Sequence, residues 1–355
     1  MKRIIQFNCS IFILSIISLT SIAKDQNFDR DKKITKQYTV AVNDRLSLEN
    51  EYGKVTINTW DKNEVSVEMT IGASAKTDSK AQSMIDDVSL SETKVGGSIY
   101  LKTIYRANNM RSGKQSLHVD YQIMMPAWLN INIVNKFGNV FLPSLSGAIQ
   151  LQVNYGNIKA GKLLGSHDKR IEVSFGSASI DEIDNAFIES KYSKLNIDKI
   201  GKAEIQNAFG KTMILEANNL RIAQKYGDLD LRKVNTLIAT IEFSNLDLDN
   251  IGKSADVTLK YAGNADFGQI SSSIELLKIN ASFSTVYMKL EESANQEFSA
   301  HLKFGDMKLN NNQYLRDYVK NSNQNTNTAD YTGKIGKGGG GNMLINSNYT
   351  TIYLQ

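Results

Sequence analysis

The sequence predicts an all-β chain wound into a parallel β-helix, a solenoid with coils of about 17–22 residues and a β-rich N-terminal capping segment. Three observations carry this prediction. First, an aromatic followed by a small residue recurs along the chain. The copies are Tyr52-Gly53, Phe137-Gly138, Tyr155-Gly156, Phe175-Gly176, Tyr192-Ser193, Phe209-Gly210, Tyr226-Gly227, Phe243-Ser244, Tyr261-Ala262, Phe283-Ser284, Phe304-Gly305 and Tyr349-Thr350. From Phe137 to Phe304 the spacings are 18, 20, 17, 17, 17, 17, 18, 22 and 21. Second, apolar and polar residues alternate on both sides of the aromatic, as in Ile149-Gln150-Leu151-Gln152-Val153-Asn154-Tyr155 and Tyr226-Gly227-Asp228-Leu229-Asp230-Leu231. A period of two marks strands. Third, one such unit cannot bury its own apolar face, whereas stacked copies can, which is the logic of a solenoid. An ordinary β-sandwich with glycine turns does not call for such regular spacing.

Each unit therefore reads as strand, aromatic, small residue, strand. The small residue suits a tight corner in which glycine takes a positive φ at no steric cost. The aromatics are expected to form an internal ladder, with Asn, Ser and Thr lining the corners. The copies at Phe209 and Tyr261 depart from the pattern, each as if one residue were inserted. From Phe137 to Tyr261 the aromatic alternates strictly between Phe and Tyr. A coil of about 17 residues puts both types in one column, and a coil of about 35 gives two columns. A narrow core is filled more easily by the shorter coil.

Residues 1–23 read as a secretory signal peptide. Lys2 and Arg3 form a positive n-region, Ile11 to Leu19 is apolar, and Ser21-Ile22-Ala23 supplies a small-residue cleavage site. The apolar run is shorter than the roughly 20 residues of a spanning helix. Cys9, the one cysteine, precedes the apolar run and would leave with the signal, and no later segment reads as a membrane span. Residues 24–35 read as an exposed linker. Residues 36–136 form the β-rich opening and capping part, with strands at Gln37–Val42, Arg45–Glu49, Val55–Trp60, Val65–Ile71, Ser98–Tyr105 and Ser116–Met125, a short helix at Lys80–Val88 and an exposed basic loop at Arg106–Lys114. Residues 137–355 carry the repeats, with a long Asn/Gly-rich loop at 310–342 and a last repeat at Met343–Leu354.

Composition excludes several function classes. Hydrophobic residues make up 41 % and charged residues 22 %, so the chain is globular in type. A net charge of +4 in 355 residues is too small for a dedicated nucleic-acid binder. A lone cysteine excludes a disulfide scaffold, a Cys-based metal site and Cys-His catalysis. His118, His167 and His301 lie in no ligand spacing. No serine sits in a G-x-S-x-G elbow, and Gly336-Lys337-Gly338 lacks phosphate-loop spacing. The strongest remaining chemistry is acidic: Asp230 and Asp247 hold the same outward position in consecutive repeats, with Asp228 and Asp249 nearby. Stacked carboxylates suit a hard cation such as Ca²⁺, a sugar or acid/base work. The equivalent positions in other repeats, Lys159, Ser179, Asn196 and Lys308, extend no acidic groove. Phe141, Tyr287 and Tyr353 point outward, while Trp60 and Trp128 belong to the core or cap of the opening segment.

The chain resembles an exported bacterial adhesin family with β-solenoid domains of unknown function, related to head-GIN and autotransporter-like adhesins. The likeness rests on Leu46–Trp60, on Val119–Pro126 followed by Phe137-Gly138-Asn139-Val140, and on Gly333–Gly341 followed by Ile345 and the Tyr349 strand. It spans about residues 36–355. It implies a right-handed parallel β-helix and brings no catalytic or cofactor-binding residues with it. The expected function is accordingly that of an exported, non-enzymatic binding protein with no cofactor, located in the periplasm, at the outer-membrane surface or outside the cell. Its partners would be glycan, cell-wall polymer or an envelope protein, met through many weak repeated contacts. A β-helix polysaccharide lyase or hydrolase and an envelope scaffold are the alternatives.

Overall fold

The computed structural model describes residues 27–106, 115–309 and 314–355. The expected signal peptide with Cys9, most of the basic loop at 106–114 and residues 310–313 of the expected loop lie outside the described residues. The chain is all-β: 27 strands join one hydrogen-bonded sheet, and the one helix among the described residues is Asp78–Asp86.

The strands fall into two parallel columns that meet at the aromatic corners. One column holds the segment before each aromatic. Ile149–Asn154 pairs in register with Asn130–Lys136 on one side and Lys169–Ser174 on the other. The second column holds the segment after it, where Asn157–Leu163 pairs with Ser177–Ile183. In the middle of the molecule both segments fuse into single bent strands, such as Asp228–Glu242 against Asn245–Lys260. Partners there are 17 residues apart, as in Leu229↔Leu246. The alternating aliphatics all turn inward, so that Leu229, Leu231, Val234, Leu237, Ala239 and Ile241 of one rung are buried. Burial of this kind is worth about 1.5–3 kcal/mol per large aliphatic side chain, an upper estimate for folding.

The rung at Phe209 is in register with its neighbours, contrary to the expected insertion. Thr212 pairs with Leu195 and takes the inward position, fully buried. Its hydroxyl is held by Gln224 and Asn207, at 3.0 and 2.8 Å, so a polar residue substitutes for an aliphatic without an unmet donor. The insertion after Tyr261 is real: Ala265, four residues after the aromatic, pairs with Leu246, which follows Phe243 by three.

The aromatic corners differ from expectation in two respects. The aromatics form one column of twelve rings, but on the outside. Eleven of them are 39–52 % exposed, and Tyr52 is half-buried. The positive φ belongs to the aromatic and not to the glycine. All twelve aromatics have φ between +49° and +59°. The following residue is small because the backbone of the next rung runs against it. A Cβ on Gly156 would lie 2.0 Å from the Gly138 carbonyl oxygen, and one on Gly176 would lie 1.8 Å from that of Gly156. Where serine or threonine replaces glycine, its hydroxyl takes over the contact. Ser193 Oγ donates to the Lys191 carbonyl at 2.7 Å and accepts the Gly176 N–H at 3.1 Å. Ser244, Ser284 and Thr350 repeat this arrangement.

Chain order and spatial order part at both ends. Arg45–Glu51 and Val55–Thr59 lie between the Ser98–Tyr105 and Ser116–Met125 strands and the rung that begins at Asn130. Asn342–Asn348 and Thr351–Leu354 lie between the rung of Leu276–Leu290 and that of Glu297–Leu309. Antiparallel strands cover the outermost rungs. Phe28–Thr39 pairs with Glu64–Ala75, which pairs with Ser116–Met125, and Val88–Val95 pairs with Ser98–Tyr105. Residues 28–35 are therefore part of a strand and not a linker, although mostly exposed. At the other end, Leu315–Asn323 and Thr328–Ile335 form an antiparallel pair on Glu297–Lys303. Most of the expected 310–342 loop is this cap, since an open parallel edge would otherwise invite pairing.

Two outcomes follow. Gly176→Ala should lower stability by about 1–3 kcal/mol through overpacking, whereas Gly96→Ala, with φ +54° and nothing within 4 Å, should cost only the left-handed strain of about 1–2 kcal/mol. Gly176→Ser should cost less than Gly176→Ala, because a hydroxyl there can bridge the rungs as those of Ser193, Ser244 and Ser284 do at their corners; denaturant titration of the variants checks this. Deleting Asn342–Gln355 removes an interior rung and not an end. Hydrogen exchange should then lose protection throughout Leu276–Leu309 while Ile149–Lys260 stays protected, and unchanged protection at Leu276–Leu309 would refute the intercalated order.

Candidate binding surfaces

The ladder is the largest surface feature. Ring centroids of successive aromatics are 4.7–5.2 Å apart with interplanar angles of 2–12°. This spacing is the separation of neighbouring strands, so the rings stack because the rungs do. At the N-terminal end Tyr105 meets Tyr52 edge-on at 5.9 Å. In space the column runs Tyr52, Phe137, Tyr155, Phe175, Tyr192, Phe209, Tyr226, Phe243, Tyr261, Phe283, Tyr349, Phe304. The alternation of Tyr and Phe holds through all twelve rungs. It holds even where chain order breaks it, because Tyr349 stands between Phe283 and Phe304.

A left-handed aromatic costs about 1–2 kcal/mol that glycine would not, and stacking returns about 0.5–1.5 kcal/mol per pair. The corner alone does not require an aromatic. Nor does stacking require alternation: Tyr287 and Tyr353, on another face, stack as a Tyr–Tyr pair at 4.8 Å. With side chains of 150–250 Å² about half exposed, twelve contiguous rings present roughly 1,000 Å² of aromatic surface. That exceeds the largest patch of a typical monomer, about 300–600 Å². The ring faces are occupied by neighbouring rings, so the ridge offers ring edges and a tyrosine hydroxyl at every second rung.

The acidic candidates do converge. Asp230 pairs in register with Asp247, and Asp247 with Asp266, on the face of the second column. Asp228 accepts from Asn245 Nδ2 at 3.0 Å, Asp230 is bound by Lys211 at 2.6 Å, and Asp249 by Arg232 at 2.7 Å. Asp247 has no hydrogen bond or ion pair among the described residues. Partial burial, followed by the charges of Asp249 and Asp230, raises its carboxyl above the usual range, and Asp266 adds to this. No group of three or more ligand residues placed to hold a metal ion occurs among the described residues. Asp266 escapes a reading of the sequence because the insertion after Tyr261 moves it one position along.

A third feature is an open groove of about 530 Å³ over the first column. Arg170, Phe187, Glu204 and Arg221 share one outward register there, five residues before successive aromatics. Arg170 covers the Phe187 ring at 4.7 Å and is tied to Glu172 at 2.8 Å. The histidines remain apart: His118 lies against Gly72, His167 Nδ1 is 3.3 Å from the Ser146 carbonyl, and His301 pairs with Asp330 at 2.6 Å. Phe141 and Tyr353 are half-buried on the outer face, as expected, and Trp128 packs against the core. No helix among the described residues is long and apolar enough to cross a membrane.

The Asp247 environment has a signed consequence. A raised carboxyl pKa in the folded state means that ionisation costs stability, fully so above that pKa and not at all below the unfolded value of about 3.9. Asp247→Asn should therefore raise the Tm at pH 7, by roughly a degree for so exposed a group, and the gain should vanish near pH 3. A calorimetric pH series on both proteins reads this; an equal gain at both pH values would assign the effect to something other than charge.

No family model matches the chain, and no curated protein does. Solved structures do show likeness. A "putative cell adhesion protein" from Clostridium sporogenes is 11 % identical, with 92 % of this chain and 99 % of that one covered and a TM-score of 0.19. A "putative adhesin" from Bacteroides fragilis is 10 % identical, with 91 % and 97 % covered and a TM-score of 0.27. A second "putative adhesin", from Parabacteroides distasonis, is 13 % identical, with 73 % and 90 % covered and a TM-score of 0.27. These three neighbours carry adhesion names, and identities of 10–13 % with TM-scores of 0.19–0.27 fix no activity for this chain.

Proposed function

We propose that this protein is an exported, non-enzymatic binding protein of adhesin type, built as a right-handed β-solenoid with one aromatic corner per coil. The observation that carries the reading is the aromatic ridge. Twelve residues accept left-handed strain at corners where glycine would be free of it, and they do so on the outside. The Tyr/Phe alternation follows spatial neighbours and not chain neighbours, so it is a property of the surface. A continuous ridge of alternating Tyr and Phe sites suits an extended or polymeric partner, to which each rung adds a small contact. The in-register parallel pairing at 17–22 residues supports the solenoid reading, and the signal-like first 23 residues support export to the envelope or beyond.

The test is capture of envelope material (isolated polysaccharide, cell-wall polymer and membrane vesicles) by the purified protein, with assay of the same samples for new reducing or unsaturated ends. Binding without new ends is expected. It should fall at least tenfold when Phe175 and Phe209 are both replaced by Ser in a protein that keeps its far-UV spectrum. New ends that disappear in Asp230→Ala or Asp247→Ala would overturn the reading in favour of a carbohydrate-active enzyme.

A further inference from the structure

We infer that the ridge is the contact line of this protein with an anionic lipid surface. This rests on the reading of the ridge as a binding surface and names its occupant. Three features of the ridge select among occupants. The first is access to the rings. Sugar recognition on aromatics uses the ring face, and here each face is covered by the next ring at 4.7–5.2 Å. Only edges project. Phe edges with interspersed tyrosine hydroxyls are the composition that settles at the headgroup level of a bilayer, apolar below and hydrogen-bonding above.

The second feature is charge. The position directly before the aromatic is Lys in five rungs, Lys136, Lys191, Lys225, Lys260 and Lys303, and Glu in two, Glu51 and Glu242. The position two after it adds Lys54, Lys194 and Lys211, of which Lys54 is tied to Asp120 and Lys211 to Asp230, and two aspartates, Asp228 and Asp306. Glu242 is shared between Lys225 and Lys260, at 3.5 and 2.9 Å, so that trio keeps a net positive charge. Lys136 and Lys191 are tied to Glu51 and Glu189. Lys225 and Lys303 lie over the Tyr226 and Phe304 rings at 5.4 and 5.6 Å, their ammonium groups at the margin of the ridge. The ammonium groups thus stand along the ridge margin, offset in part by these carboxylates. An anionic headgroup layer complements them, at a gain of about 1 kcal/mol per lysine near the surface.

The third feature is shape. Each ring lies within 2–12° of parallel to the next, so the column is unbroken along its length. Eleven steps at strand spacing give a line of about 50–55 Å. An unbroken line of contacts suits an extended fluid surface, to which each rung adds a small contact. A compact protein patch would engage only part of it.

Flotation with vesicles tests the assignment. The purified protein should float with vesicles of phosphatidylcholine mixed with phosphatidylglycerol at low ionic strength and stay behind with phosphatidylcholine alone. Added salt should weaken the binding. Replacing Lys136, Lys191, Lys225 and Lys260 by Gln, all exposed and outside the core, should lower the partition coefficient at least tenfold. Failure of the native protein to float with anionic vesicles, or undiminished flotation of the lysine variant, overturns the lipid assignment. If polysaccharide or self-association then proves sensitive to Phe175→Ser and Phe209→Ser, the ridge stands as a binding surface with another occupant. If those substitutions alter no interaction in a folded protein, the ridge reading falls as well.

Discussion

The structure depends on how closely one rung can approach the next at the aromatic corner. At Gly138, Gly156, Gly176, Gly210 and Gly227 a preceding carbonyl oxygen stands about 2 Å from where a Cβ would be. Strand spacing is fixed by hydrogen bonding, so the corner admits only small residues, Ala262 being the one alanine among them. Glycine gives way by lacking a side chain. Serine and threonine do so by turning the hydroxyl into a bridge between rungs. The same spacing then brings the preceding side chains to stacking distance, and the ladder follows from the corner. A wider corner would break the hydrogen-bond columns on both sides of it.

The intercalated ends extend this constraint to the whole stack. A solenoid that grew rung by rung would leave its two termini at its two ends. Here the strands of Arg45–Thr59 and of Asn342–Leu354 are interior, each hydrogen-bonded on both sides. The outermost rungs are instead covered by antiparallel strands formed from the chain between. This arrangement protects the parallel edges from pairing with another chain. It also ties late and early segments together: Glu297–Lys303 gains its inner parallel partner only when Asn342–Asn348 has docked. Contacts of such long sequence separation slow folding in general.

Much of this was legible in the sequence, and the failures have physical reasons. The strand periodicity, the single column and the two longer opening strands at Ser98–Tyr105 and Ser116–Met125 are as the alternation indicates. The placement of the aromatics is not, because period two says which residues share a face but not which face is inside when a corner reverses the count. The aliphatics at −4 and −2 and those at +3 and +5 are separated by a left-handed residue, and that residue turns outward. The reason for glycine at the corner is hidden in the sequence on a related ground: conformational freedom and lack of bulk call for the same residue, and only the neighbouring carbonyl distinguishes them. The 310–342 cap was hidden by a composition of Asn, Thr, Lys and Gly that usually marks a loop, since its outer strand is exposed and needs no apolar alternation. Among candidate sites, Asp230 and Asp247 stand in register in the structure, while Asp266 and the Arg170–Phe187–Arg221 register are visible only through the pairing.

The ridge also bears on what kind of selection shaped the chain. If the aromatics served only to stiffen corners, rung identity would be free, and Tyr on Tyr, as at Tyr287 and Tyr353, would appear along the column. If they served only as apolar bulk, Phe throughout would bury more. Twelve rungs in strict spatial alternation, including one that enters out of chain order, keep each hydroxyl about two strand spacings from the next. Such a pattern has no counterpart in the aliphatic core, where Ile, Leu, Val and Ala interchange from rung to rung without order. The core tolerates exchange because shape and volume are all it must satisfy. A surface that holds a fixed polar and apolar rhythm over about 50 Å asks more of each rung than shape and volume, as the proposed contact with an extended anionic surface would.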